Sequence, residues 1–400
     1  MKRIVAMLIS ALLLVSCGKT GIFDVTMRPE SPPVTNNPTV SDDTVNGVWF
    51  SYLDFEEIFM NSDKADFEKK MTEVIKNCKG IGINAIFLHV RSHGDAYYNS
   101  GYYPKTDRIG NIDYDILETA IKLCHSNGIQ VHAWINPLRL QTDFENIDDG
   151  FITKKWVQEK NGTYVVNVDG RYYLNPAYEE TRSLIINGVK EIVDNYDVDG
   201  IHFDDYFYPT TDEAFDSQAF SESNEESLSE FRMANVNSLV KGVYDAIGGR
   251  AVFSISPQGN IDNNYNTQYA DVRKWCSESG YVDVIIPQLY YGFRNSTSPF
   301  TVTAERWQDM IKCDSVKLMG GLAAYKIGKS DANAGSDGIS EWIENDGILA
   351  AQIKEIMSQK SAQGIVLYRY NSLFNPSEEV KGKIKSEIEA MKPVLTNREN

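Results

Sequence analysis

Val198-Asp199-Gly200-Ile201-His202-Phe203-Asp204-Asp205-Tyr206-Phe207-Tyr208-Pro209 (residues 198–209) decides how the rest of the chain is read. Asp199-Gly200 is a turn signal, and the run behind it alternates, with Ile201 and Phe203 on one side and His202 and Asp204 on the other. Period two over so short an apolar run predicts a strand buried on both faces, with a carboxylate at its C-terminal end. Seven other stretches share this build: 47–52 (GVWFSY), 84–91 (NAIFLHVR), 129–136 (IQVHAWIN), 251–257 (AVFSISP), 282–290 (VDVIIPQLY), 316–323 (VKLMGGLA) and 364–370 (GIVLYRY). Amphipathic helical stretches separate them, near 64–79, 113–127, 177–195, 224–247, 269–279, 302–313, 347–361 and 376–391. Strict β/α alternation implies a parallel sheet, and eight units closing on themselves make a (β/α)8 TIM barrel of the α/β class. An open doubly wound sheet would call for a G-x-G-x-x-G turn after the first strand, and none is there.

The alternation also sorts side chains. Ile86, Leu88 and Val90 alternate with His89 and Arg91, and Val131, Ala133 and Ile135 with His132, Trp134 and Asn136. The aliphatic set is expected against the helices and the other set inside the barrel. Each interior set ends in a polar residue: Arg91, Asn136, Asp204, Gln258, Gln288 with Tyr290, Tyr325, and Tyr368 with Tyr370. Polar groups buried without partners are costly, whereas at the C-terminal mouth of a barrel they line a site. Two connections are enlarged. Residues 137–176, after the third barrel strand, read as a small hairpin with turns at Asn161-Gly162 and Asp169-Gly170, and residues 206–223, after the fourth, are polar and acidic.

Four hundred residues accommodate one such barrel with long loops. A formal charge of −17 argues against nucleic acid or an anionic membrane surface as the main partner. Tyrosine outnumbers phenylalanine, 22 to 17, and thirteen of the tyrosines fall at strand ends or in the loops above them, as a sugar-binding cleft would use them. At the other end of the chain, Lys2-Arg3, an apolar run from Ile4 to Val15 and Ser16-Cys17 resemble a bacterial lipobox. The expected organisation is a signal peptide over 1–16, a lipidated Cys17 with a Pro/Thr/Asn-rich tether to 46, the barrel over 47–392 and a short tail over 393–400. That would place the chain in the cell envelope, held to a membrane through lipid on Cys17. Cys78, Cys124, Cys276 and Cys313 lack C-x-x-C spacing and read as buried small side chains or disulfide partners.

Asp204 is the leading catalytic candidate. A carboxylate ending a barrel strand among aromatic residues suits glycosidic bond cleavage, as acid or as nucleophile. The usual schemes need a second carboxyl, and no later strand ends in Asp or Glu. Asp205 and Asp95 are the favoured candidates, with Asp54 or Glu213 as others. Trp134, Tyr206, Tyr290 and Tyr291 are candidates to stack on sugar rings, with Tyr325 and Tyr368 beside them. Asn136, Gln258, Asn260 and Gln288 offer neutral donors and acceptors for hydroxyls. Arg91 and Arg369 are candidates to bind a substrate carboxylate or to balance the aspartates. His89, His132 and His202 sit on consecutive strands facing inward; three such residues with Asp204 could bind zinc. The expectation is that they form a hydrogen-bonded layer, with His202 reaching substrate and no metal or other cofactor.

VDGIHFDDYFYP, with GVWFSYLDF, NAIFLHVRSHGDAYY, HAWINPLR, YYLNPAYEETR, SISPQGN and DVIIPQLYYGF, resembles glycosyl hydrolase-like family 10 (formerly domain of unknown function 187) over about Gly47 to Leu373. The resemblance implies a TIM barrel acting on polysaccharide, with peptidoglycan glycan strands as the leading substrate. The same segment is distantly similar to the strand-four motif of family-18 chitinases, but Tyr206 stands where their catalytic Glu would be. Two other readings remain at this point: a glycan-binding lipoprotein without catalysis, and a metal-dependent polysaccharide deacetylase.

Overall fold

The structure, a computed structural model, describes residues 44–159 and 162–396. The signal peptide, Cys17 and nearly all of the tether lie outside the described residues, as does Asn161 of one hairpin turn.

Among the described residues there are ten strands: β1 (Val45–Phe50), β2 (Ala85–Arg91), β3 (Gln130–Ile135), β4 (Val165–Val168), β5 (Arg171–Leu174), β6 (Gly200–Phe203), β7 (Val252–Ile255), β8 (Val284–Ile285), β9 (Lys317–Leu322) and β10 (Ala362–Leu367). Eight of them close a barrel in the order β1-β10-β9-β8-β7-β6-β3-β2, and every neighbouring pair is parallel. The remaining pair, β4 and β5, is the expected antiparallel hairpin, turning through Asp169 and Gly170 at positive φ. Helices follow the barrel strands: α1 (Lys64–Gly80), α2 (Ile116–His125), α3 (Glu179–Asn195), α4 (Leu228–Ile247), α5 (Val272–Ser277), α6 (Phe300–Met310), α7 (Ile348–Met357) and α8 (Lys381–Thr396). The chain is thus the TIM barrel that the alternation of strands and helices predicts, with enlarged loops.

Parity holds where strands are regular. Val48, Phe50, Ile86, Leu88, Val131, Ala133, Ile201 and Phe203 join the core shared with the helices. Val45, Trp49, Ala85, Phe87, Trp134, Val284, Ile286, Met319 and Val366 fill the barrel interior as a separate cluster. Helix starts follow capping chemistry: Asp63, Asp115 and Ser227 accept from the third backbone N–H of α1, α2 and α4. Gly248 ends α4 in the left-handed region that glycine enters without steric cost.

The barrel begins earlier than the sequence marks. Asn46, assigned to the tether, lies inside β1 and is buried. Its polarity is masked because every group is met: its N–H donates to Asn84 Oδ1 (2.8 Å), and its amide donates to Gly82 O (2.9 Å) and Leu395 O (3.1 Å). That last bond ties the first strand to the last helix. Likewise, residues 393–396 of the expected tail continue α8. The four described cysteines are free, three of them buried.

Candidate active site

The end of β6 carries the site. The strand stops at Phe203, so the alternation stops with it, and both following carboxyl groups turn into one cavity of about 180 Å³ at the C-terminal mouth. Trp49, Trp134, Asp204, Asp205, Tyr206, Ser256, Gln288, Tyr290, Tyr325 and Tyr368 line it.

Asp204 is buried, and its Oδ1 accepts from the Tyr206 backbone N–H at 3.1 Å. The Trp134 indole N–H approaches it without hydrogen-bonding geometry and steadies the charge only weakly. Burial, and after it the charge of Asp205, pushes Asp204 well above the usual carboxylate value. Asp205 is raised by burial too, but glutamine amides oppose the shift. Gln288 Nε2 donates to Oδ1 at 3.0 Å and Gln268 Nε2 reaches Oδ2 at 3.5 Å, with Gln258 beside them on the strand end bridged to Gln288. Two adjacent carboxyls therefore sit in unequal surroundings, one pushed toward its protonated form by burial and its neighbour's charge, and one cradled by amide donors. Such an inequality is the kind that acid–base pairs use.

Aromatic rings wall the cavity. Tyr290, Tyr325 and Tyr368 form a cluster with centroids 5.7 to 5.9 Å apart, and Tyr368 meets Trp49 edge-on at 6.0 Å. Tyr206 stands at the rim, 46% exposed. Burial and then the neighbouring aspartates raise its phenol to about 12, so the hydroxyl stays neutral.

Several expected site residues lie elsewhere. Arg91 was expected at the mouth; a register shift between His89 and Arg91 breaks the parity of β2 and turns it into the helix layer. There its guanidinium sits 4.1 Å over the Tyr103 ring, beside Gly188 of α3, where a Cβ would come within 2.4 Å of Nη1. Asn136 is buried and spent on its own loop, donating to Ser92 O (3.0 Å) and pairing with His89 Nε2 (3.1 Å). Asn260 caps the short helix Ile261–Asn266 by accepting from Asp262 N and Asn263 N. Tyr291 faces Asn260 and Ser298 rather than the cavity. Arg369 is at the rim but occupied, at 2.6 Å from Asp54 and 2.9 Å from Glu57, and it lines a neighbouring cleft.

The candidate second acids separate in the same way. Asp95 accepts from His93 N (2.9 Å) and Ser92 Oγ (3.3 Å) within its own loop. Asp54 closes a capping box with Ser51, and Glu213 is exposed. Only Asp205 shares the cavity with Asp204. His202 lies wholly inside, accepting from Trp49 Nε1 at 3.0 Å and facing Ser254 Oγ at 2.9 Å, so it supports the floor and does not reach substrate. His89 stacks on Trp134 (3.8 Å) and His132 on Phe87 (4.3 Å). Among the described residues no three His, Cys, Asp or Glu converge in a way that would hold a metal ion. Trp49, Ser256 and Arg139 escaped the sequence reading. Trp49 was detectable by its inward parity within GVWFSY; Arg139 follows the third strand in the HAWINPLR motif but sits in a loop, where no parity applies.

Comparisons with known proteins fit this geometry. The family model for glycosyl hydrolase-like 10 matches residues 44–337. A glycosyl hydrolase of Bacillus subtilis strain 168, YngK, is 29% identical over 322 residues, covering 72% of this chain and 62% of that protein. The glycosyl hydrolase DigH of Escherichia coli K12 is 28% identical over 411 residues, covering 92% of each. Among solved structures, the PgaB glycoside hydrolase domain of Bordetella bronchiseptica superposes with a TM-score of 0.54 at 11% identity, over 88% of this chain and 99% of that one. The α-L-fucosidase isoenzyme 2 of Paenibacillus thiaminolyticus gives 0.52 at 15%, over 88% and 50%. Likeness at such low identity speaks for the barrel alone.

Proposed function

The chain belongs to the glycosyl hydrolase-like 10 family and is a glycosyl hydrolase-type enzyme; from that premise we propose that it cleaves glycosidic bonds within an envelope polysaccharide, peptidoglycan glycan strands foremost, using Asp204 and Asp205. The carrying observation is that these are the only carboxylates among the described residues lining the aromatic cavity, and that their surroundings differ. Asp204, whose protonated form burial favours, gives its proton to the leaving glycosidic oxygen. Asp205, whose ionised form the glutamine amides favour against burial, supplies the negative charge that an oxocarbenium-like transition state requires. Trp49, Tyr290, Tyr325 and Tyr368 wall the cavity with aromatic rings, which strengthens both effects. A water molecule then adds to the anomeric carbon, and the proton it loses restores the acid form of Asp204.

The names of two relatives as glycosyl hydrolases support the reaction class. The lipobox-like N-terminus supports an envelope substrate and a lipid-anchored location. The test is product analysis after digesting intact peptidoglycan, peptide-free peptidoglycan strands and neutral polysaccharides. New reducing ends from the peptide-free strands are expected, and their absence with every glycan would overturn the reading.

A further inference from the structure

Arg139 lies close enough to Asp204 and Tyr206 for its charge to act on both, and among the described residues it holds no ion pair. Its guanidinium lies 5.2 Å over the ring of Tyr206, the exposed aromatic at the cavity rim. Among the described residues no carboxylate comes within 4.0 Å of it, and its side chain makes no hydrogen bond. Two other arginines near the mouth are engaged: Arg369 with Asp54 and Glu57, Arg108 with Glu56 (3.0 Å) and Asp95 (3.8 Å). The backbone under Arg139 is fixed. Arg139 bridges to Tyr173, Leu140 N donates to Tyr172 O (3.0 Å) and Leu174 N donates to Leu138 O (2.8 Å), so the segment lies along β5 as an added strand. Beneath it His93 meets Tyr52 edge-on at 4.9 Å. Its pKa is drawn down to about 2 by burial first, then by the charges of Arg139, Arg108 and Arg171. Three arginines thus act on His93, on a chain whose net charge is −17.

An unpaired guanidinium held on hydrogen-bonded backbone beside an exposed aromatic ring is suited to take a planar anion, since its donors match the two oxygens of a carboxylate. We propose that Arg139, with Tyr206, forms a subsite for a carboxylate carried by the sugar beside the scissile bond, so that the substrate is an acidic glycan bearing lactyl ether or uronate groups. This rests on the hydrolase reading above and deepens it by naming the charge of the substrate.

Two matched probe pairs test it. N-acetylmuramic acid differs from N-acetylglucosamine by its lactyl group, and neither has a bond for the enzyme to cut. Titrated by NMR into the full chain, the acid is expected to bind about 10-fold more tightly, with the preference lost in Arg139→Gln and partly kept in Arg139→Lys. Equal affinity, or no binding of either sugar, overturns the subsite. The second pair is peptide-free peptidoglycan strands and the same strands with their carboxylates reduced to alcohols. Reduction should lower kcat/KM about 10-fold for the wild type and leave Arg139→Gln unchanged. Equal cleavage of both by the wild type overturns the subsite and leaves the hydrolase reading standing. Cleavage of neither, with the preference for N-acetylmuramic acid intact, overturns the peptidoglycan reading and leaves the subsite standing.

Discussion

Asp204 and Asp205 are joined by one peptide bond, yet their carboxyls answer to different neighbours, and pH separates their roles. The active form carries a proton on Asp204 and none on Asp205, so kcat/KM should be bell-shaped, with Asp205 setting the acid limb and Asp204 the alkaline limb. Gln288 favours the ionised form of Asp205; Gln288→Leu should therefore move the acid limb to higher pH, visible in a pH profile of kcat/KM. Asp204→Asn should cut kcat by about 10²–10⁴-fold, the usual contribution of general acid catalysis. Its effect on stability runs the other way. A carboxyl whose folded pKa lies above its unfolded value binds more protons when folded, so the wild type loses stability as pH rises from about 4 through the folded pKa. The Asn variant escapes that loss, and its Tm should gain on the wild type across that window. At this scale the sequence told much about Asp204, whose parity and strand-end position are both local. It told less about Asp205, because parity has no meaning past Phe203. Asn136, Asn260 and His202 show the limit of residue type: donors and acceptors are visible in sequence, but the partners that use them up are not. The tyrosine excess divides similarly. Tyr206, Tyr290, Tyr325 and Tyr368 face the cavity, whereas Tyr97, Tyr98, Tyr103 and Tyr208 are buried in loop and helix packing.

Elements were legible where their periodicity is unbroken. All eight barrel strands were expected, because inner and outer faces are both apolar and separated by turn residues. The shift in β2 was not, since one extra residue in a ladder leaves no compositional mark, and it alone removed Arg91 from the mouth. The loop after β6 was seen only as polar and acidic. In the structure it is pinned by Arg232 of α4, which is fully buried. Arg232 pairs with Asp216 at 2.6 Å and donates to Asp212 O (2.6 Å), Thr210 O (3.3 Å) and Tyr269 Oη (3.1 Å). Removing one partner of such a pair strands a buried charge, at about 3–5 kcal/mol. Arg232→Leu should therefore lower unfolding stability by that amount in urea titrations and raise KM by loosening the loop that begins at Tyr206. The double variant Arg232→Leu/Asp216→Leu should recover much of the stability but not the KM.

For the whole molecule, strict alternation of strands and helices made the barrel readable, because parallel strands need crossovers and eight crossovers of one kind close a ring. The assembly of the mouth was not readable, since it depends on which loops fold back onto which strand ends. The envelope location proposed above rests on the N-terminal motif, and it predicts that Cys17→Ala moves the protein from the membrane fraction to the soluble fraction without changing its activity on glycans. The bond from Asn46 to Leu395 carries a further consequence. With β1 paired to β10 and its own Asn46 tied to the final helix, the ring has a seam and no true starting point. Chain order is then a matter of where the thread is cut. A short flexible linker from residue 396 to residue 44, with new ends opened between Gly248 and Gly249 in the exposed turn that enters β7 from the side opposite the mouth, should give a circular permutant that folds and retains the parent's kcat/KM.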